Sequence, residues 1–264
     1  MKQTLLSSKQ NDLLEELMAT HGLIVTSDQI INAARKNWDY KQAKNTITKL
    51  TDSGWLIRIK RGIYVISELS NRGTLSLSPY LIANLLVNDS YVSFESALQN
   101  HNMFDQMLNQ ILSVSLKTYK TARLDNLEYR FVKTKPCLYF GFEKVQIDNK
   151  TTQIATAEKA LIDMVNFRKS KLTLDVVVEK LLQHRHDLNF KRFDEYLSHF
   201  PVTTIKLFGL IFDFLDIEST RLYELIKNKR ATHWMLPGDR KFNAKWRMYY
   251  NEYFDQYTKN SRKL

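Results

Sequence analysis

The sequence predicts an α+β protein of two domains, and three observations lead there. Between residues 26 and 66, two short stretches of helical period run into alternating β-prone residues. Residues 111–116 and 129–133 alternate at every second position, and 138–147 is a longer β-prone run. From 156 onward the helical period returns and holds. The 264 residues leave room for two domains at about 100–200 residues each. The polar stretch Asn71-Arg72-Gly73-Thr74 divides a head of residues 1–72 from a larger domain of residues 73–264.

The first helix begins near Ser7, which stands at capping-box spacing from Gln10. Leu13, Leu14, Leu17 and Met18 form its apolar stripe, and His21-Gly22 ends it. Leu23-Ile24-Val25 is a short extended link. Thr26 or Ser27 then caps a second helix that reaches about Arg35 and buries Ile30, Ile31 and Ala34. Trp38 plugs the small core. Asp39 caps a third helix with Tyr40, Ala43, Ile47 and Leu50 on its buried face and Gly54 as its stop. Its opposite face carries Lys41, Gln42, Lys44, Asn45, Thr48 and Lys49. In the next run Leu56, Arg58 and Lys60 alternate against Ile57 and Ile59. Arg61-Gly62 then turns the chain into a second strand, residues 63–66. Helices followed by a basic-tipped hairpin describe a winged helix-turn-helix.

In the larger domain Ser78-Pro79 opens a helix that buries Leu81, Ile82, Leu85 and Leu86. Ser93 caps another from Phe94 to about Asn100. Residues 111–116, 129–133 and 138–147 read as strands of one small antiparallel sheet. Ala157, Ala160, Leu161, Met164 and Val165 give one helical face, and Leu174, Val177, Val178, Leu181 and Leu182 a second. Helices near 189–199 and 203–215 follow. The latter is so apolar that it must be buried on most sides. Residues 241–254 mix aromatics with Lys245 and Arg247 and are expected to form a last helix.

Charge is unevenly placed. The net charge is +11, and residues 71–226 contribute only +1 of it. Residues 1–70 hold +3 and residues 227–264 hold +7. Between Arg35 and Arg61 eight basic residues stand against Asp39 and Asp52. Positive charge gathered on a reading head suits a polyanion. With helix 40–50 in the major groove, Gln42 and Asn45 suit adenine, and Lys41, Lys44 and Lys49 suit guanine or phosphate. Thr48 completes the face, and Arg58, Lys60 and Arg61 on the hairpin meet the backbone. The partner so predicted is double-stranded DNA. The basic tail from 227 to 263 extends that face, with RNA as its other suitor.

No enzyme chemistry is legible. Seven scattered glycines build no phosphate loop, and one cysteine builds no structural zinc site. The rings of His184 and His186 diverge at i, i+2. Asp213, Asp216 and the Glu143-Lys144 pair share no spacing that a nuclease would need, and read as surface or capping groups. Cys137 reads as a small core residue. No catalytic residue, cofactor or metal site is predicted. No apolar run approaches the ~20 residues of a spanning helix. The N-terminus lacks the apolar core of a signal peptide, and a single cysteine fits a reducing compartment, so the expected location is the cytoplasm.

The stretch Gly54-Trp-Leu-Ile-Arg-Ile-Lys-Arg-Gly-Ile-Tyr-Val-Ile66 resembles the N-terminal domain of the AbiEi antitoxins of bacterial abortive-infection systems. The similarity continues in Tyr91-Val-Ser-Phe-Glu-Ser-Ala-Leu-Gln-Asn-His101, in Tyr139-Phe-Gly-Phe142 and in Ile154-Ala-Thr-Ala-Glu-Lys-Ala-Leu-Ile-Asp163. One departure is Asn102, where the family often has glycine. The resemblance implies an antitoxin encoded beside a nucleotidyltransferase toxin. Its head would bind inverted repeats in its own promoter, and its second domain would be needed for neutralisation, without requiring a stable complex with the toxin. Ser93, Glu95 and His101, and Thr156, Glu158, Lys159 and Asp163, read as capping and surface polar positions. Two other readings stay open: a plain winged-helix transcriptional regulator whose second domain senses a ligand or partner, and a nucleic-acid enzyme.

Overall fold

The computed structural model describes residues 5–68, 70 and 72–258. Asn71 at the predicted boundary, and Lys259, Arg262 and Lys263 of the basic tail, lie outside the described residues.

The head is built as its caps dictate. Helix α1 (Ser8–His21) opens with the Ser7 N–H donating to Gln10 Oε1 at 3.0 Å, and ends at Gly22. Strand β1 (Ile24–Thr26) leads into α2 (Ser27–Ala34), where Thr26 and Gln29 form a reciprocal capping box. Helix α3 (Tyr40–Asp52) is capped by Asp39, whose Oδ1 accepts the Gln42 N–H at 2.8 Å. It stops in a Schellman turn. Gly54, at φ +82°, donates to Thr51 O at 3.1 Å, and Trp55 N–H donates to Leu50 O at 2.8 Å. Strands β2 (Leu56–Lys60) and β3 (Ile63–Ile66) complete a sheet of order β1-β3-β2. Leu13, Leu14, Leu17, Val25, Ile30 and Leu50 are buried in its core, each contributing roughly 1.5–3 kcal/mol through burial. Trp38 packs against that core, half-buried.

Two inward assignments are corrected. Met18 is 39% exposed, at the margin of the α1 stripe. Tyr40 is 56% exposed: the inward positions of α3 are Ala43, Thr46, Ile47 and Leu50, and the first residue of the helix falls on their flank. Thr46 is tolerated inside because its hydroxyl donates to Gln42 O at 2.9 Å.

The larger domain begins with α4 (Pro79–Leu86), β4 (Ser90–Val92) and α5 (Phe94–Asn100). On α4 Leu81, Ile82 and Ala83 are buried, while Leu85 and Leu86 are only half-buried. Strands β5 (Gln110–Ser115), β6 (Ala122–Leu124), β7 (Leu127–Lys133), β8 (Phe142–Ile147) and β9 (Lys150–Ala155) follow. The sheet has six strands in the order β6-β7-β5-β4-β9-β8, not three. It is mixed, not antiparallel: β5 runs parallel to β7, and β4 parallel to β9. Alternation along a strand encodes which face is buried but not the partner or its direction, which is why the pairing escaped the sequence. Cys137 is exposed in a short 3₁₀ turn, not in the core.

Helices α6 (Ala157–Phe167), α7 (Lys171–Gln183), α8 (Phe190–Leu197), α9 (Val202–Phe214) and α10 (Thr220–Ile226) pack beside the sheet. Every residue of α9 from Thr204 to Phe212 is buried, as its composition demanded. The expected last helix is instead mostly a small sheet of β10 (His233–Trp234), β11 (Lys241–Asn243) and β12 (Met248–Tyr250), in the order β10-β12-β11, followed by a 3₁₀ helix over Glu252–Tyr257. Met248 and Tyr250 point in and Tyr249 outward, a period of two that aromatic-rich composition had masked. Trp246 is fully buried, and its Nε1–H donates to Asp213 Oδ2 at 2.7 Å. Asp213 also takes Lys245 Nζ at 2.8 Å, so it is a tie between α9 and the terminal sheet, not merely a surface group. No helix among the described residues is long and apolar enough to cross a membrane.

The head is docked, not tethered. Ile59 and Val65 point away from the head's own core and join the apolar cluster of the larger domain. The connection is gripped by two turn carboxylates: Asp125 accepts the Leu75 N–H at 3.0 Å, and Asp148 accepts the Ser78 N–H at 2.7 Å. Asp148 and Asn149 both have positive φ, as a two-residue hairpin turn requires.

Candidate nucleic-acid interface

On α3 the side chains of Lys41, Gln42, Lys44, Asn45, Thr48 and Lys49 are all exposed. At 3.6 residues per turn they occupy one arc of roughly 160°. The sequence placed these six on one face, and the structure brings them together there. Gln42 is partly committed, since its Oε1 accepts the Asp39 N–H at 3.3 Å within the capping box. Thr48 lies 3.5 Å from Lys44 O. Tyr40, which sequence reasoning put inside, flanks this face with Lys44 Nζ 4.3 Å from its ring centroid. Its place at the first helical position, right after the cap, was the signal that could have found it. Of the neighbouring cations, Lys36 is paired to Glu16 at 2.7 Å.

The hairpin is more closely held than a free wing. Strand β3 pairs with β1 from Ile24↔Val65 to Thr26↔Ile63, and Ser27 N–H donates to Gly62 O at 3.0 Å. Arg58 and Arg61 are exposed. Lys60 is not: it is half-buried and donates to Leu86 O at 3.2 Å, at the C-terminal end of α4. Burial lowers its pKa, and the carbonyl end of α4 offers the ammonium a favourable dipole. The irregularity in β2–β3 pairing between Arg58 and Lys60 turns Lys60 toward the larger domain.

Ser93, Thr156, Glu158, Lys159 and Asp163 are buried and Glu95 and His101 half-buried, so these seven are not surface positions. Lys159 and Asp163 have no exposed surface, and they form a salt bridge one turn apart on α6. Lys159 Nζ also donates to Tyr91 Oη at 2.7 Å. Tyr91 Oη donates to Asp163 Oδ2 at 3.1 Å, and Ser93 Oγ to the same oxygen at 2.8 Å. Burial pushes the Asp163 carboxyl up and the Lys159 ammonium down, while each partner pulls the other back. Thr156 caps α6 by accepting the Lys159 N–H at 3.3 Å. Buried Glu158 accepts from Asn189 N–H at 2.9 Å, Glu95 pairs with Arg168, and His101 Nε2 meets Ala155 O at 2.8 Å. Each of these seven residues thus joins one element to another or caps one. Enclosed on all sides, the Lys159 and Asp163 side chains offer no face to a substrate. His184 Nδ1 lies 3.2 Å from Asp187, and among the described residues no three His, Cys, Asp or Glu side chains are placed to hold a metal ion.

This geometry is that of a winged helix-turn-helix head docked on a larger α+β part. Residues 12–67 match the sequence profile of a family described as "Transcriptional regulator, AbiEi antitoxin". The match spans the head from within α1 to the end of β3. Over both domains the fold is similar to that of the crystal structure of RV2827C protein from Mycobacterium tuberculosis. The TM-score is 0.66 at 13% identity, covering 94% of this chain and 93% of that one. A search of curated proteins returns no match.

Proposed function

We propose that this protein is an antitoxin that neutralises a co-encoded nucleotidyltransferase toxin and represses its own operon by binding inverted repeats in the promoter. The observation that carries the reading is the continuous basic and amide-bearing face of α3 on an AbiEi-type head. Helix α3 enters the major groove, where Asn45 suits adenine and Lys41, Lys44 and Lys49 suit guanine or phosphate. Thr48 and Gln42 add hydroxyl and amide donors. Arg58 and Arg61 meet the phosphate backbone, and Lys60 supports them by holding the hairpin to α4. The larger domain serves neutralisation and phage-induced abortive infection in the cytoplasm. No catalytic step is assigned to it.

The test is bacterial growth with the adjacent gene expressed alone, with this protein, and with residues 75–264 only. Arrest by the neighbour and rescue by the full chain support the antitoxin reading, and rescue by the truncation as well would show that the head is dispensable for it. A harmless neighbour, or arrest that persists despite good expression of this protein, sinks it. In that event the plain regulator takes over. One feature favours that second reading: a cleft of about 630 Å³ between head and larger domain, lined by His21, Leu23, Glu68, Leu77, Asp148 and Lys150. Its mixed lining suits a small polar effector.

A further inference from the structure

The terminal sheet sets three aromatic residues in register, Trp234 beside Tyr249 and Tyr249 beside Phe242. Their strand neighbours Met235, Met248 and Tyr250 are buried, so the pleat turns the three rings outward. Trp234 is 50% exposed and Phe242 45%. The indole and the Tyr249 ring stack at 5.3 Å and 16°, and the Phe242 ring lies 5.0 Å from Tyr249 on the other side. Trp234 and Phe242 sit on the two edge strands, so the row of rings ends open on both sides.

Exposed cations flank these strands along the chain. Residues 227–250 hold seven lysines and arginines and one acidic residue, buried Asp239; Lys227, Lys241 and Lys245 are paired with Glu224, Asp255 and Asp213. Lys229, Arg230, Arg240 and Arg247 are exposed. Buried Lys206 fixes the loop that bears two of them, donating to Lys229 O at 3.2 Å and to Ala231 O. Arg247 Nε donates to Arg230 O at 2.6 Å. The chemistry of this face selects among partners. An acidic peptide would satisfy the cations but leave the rings wet. Duplex DNA presents phosphates but hides its base faces. A single strand offers both a π-face at every base and a phosphate at every step.

We propose that this face binds single-stranded nucleic acid, with bases stacked on the outer ring faces of Trp234 and Phe242 at the two ends of the row and phosphates held by Arg230, Arg240 and Arg247. The site is separate from α3 and does not depend on the operator reading.

The test uses the full chain and fluorescein-labelled oligo-uridine and oligo-thymidine of about twelve nucleotides, within the range of single-strand binding sites. Anisotropy should report salt-sensitive binding of one or both strands, the preferred one showing whether the source is RNA or DNA. Trp234→Ala with Phe242→Ala should weaken it about tenfold, while Trp234→Phe retains most of it. Binding lost in Lys41→Ala with Lys44→Ala and Lys49→Ala but kept in the aromatic variant would place the strand on α3 and overturn the proposal. Arg230→Glu with Arg240→Glu, both on the surface, should also weaken binding about tenfold and covers the case in which the aromatic variant misfolds. Absence of binding to either strand would overturn the proposal. So would equal competition by an unlabelled duplex, or unchanged affinity in folded aromatic or arginine variants. Loss of toxin neutralisation in the aromatic variant with oligonucleotide affinity intact would place a protein on this face instead, and would also overturn it.

Discussion

Gly209 on α9 faces the indole of Trp246 so closely that an added Cβ would stand 2.1 Å from Cη2. Glycine costs a helix interior about 1 kcal/mol relative to alanine, but overpacking costs about 1–3 kcal/mol. Gly209→Ala is therefore expected to lower stability, read as a lower urea midpoint, despite its better helix propensity. The buried Lys159–Asp163 pair invites a different experiment. Removing one partner strands a charge, and Asp163→Asn or Lys159→Met should each cost about 3–5 kcal/mol. Lys159→Met with Asp163→Leu should cost clearly less than the two single changes summed. Strict additivity in urea unfolding would show that the pair is not coupled as its geometry states.

At the scale of elements, α3 carries the DNA prediction. Replacing Lys41, Lys44 and Lys49 with alanine should weaken operator binding and lower the slope of log K against log salt by about 0.9 for each phosphate that is no longer neutralised. An unchanged affinity and slope would remove α3 as the reading helix. Strand β10 carries a pH prediction. Burial, with Lys206 and Lys169 nearby, holds the His233 imidazole below its ordinary value. The unfolded chain then takes up this proton first as pH falls. The stability His233 contributes is complete above about pH 6.5 and is lost as pH drops toward its folded pKa. The thermal midpoint should fall between pH 7.5 and 5, and His233→Gln should shrink that fall. Element identity was legible wherever caps and period agreed, as at Ser7, Thr26, Asp39, Ser78 and Thr156. It failed at residues 241–254, where aromatic composition suggested a helix and a turn with Arg247 at φ +48° made strands.

At the scale of the whole molecule, one hairpin serves two cores. Leu56 and Ile66 face the head core, while Ile59 and Val65 face the larger one. Head and larger domain are therefore expected to unfold in a single calorimetric transition. Ile59→Asp, which places a charge in the shared layer, should split it in two. Two transitions in the unaltered protein would mean that the docking contributes little. The same docking bears on function, because Lys60 and the gripped connection fix the direction in which α3 presents its face.

By itself the sequence determined the local grammar of this protein: where helices start and stop, which side of α3 is polar, that α9 is buried, and that charge gathers on the head and tail. Those features depend on neighbours within a few residues, through capping, period and turn chemistry. Only the tertiary structure decided that Lys60 turns inward to α4, that the sheet is mixed, and that Ser93, Lys159 and Asp163 form one buried network. The aromatic row of the last sheet was decided there too. Each of these rests on packing between residues far apart in the chain, and a periodic pattern records that a side chain is buried without recording against what.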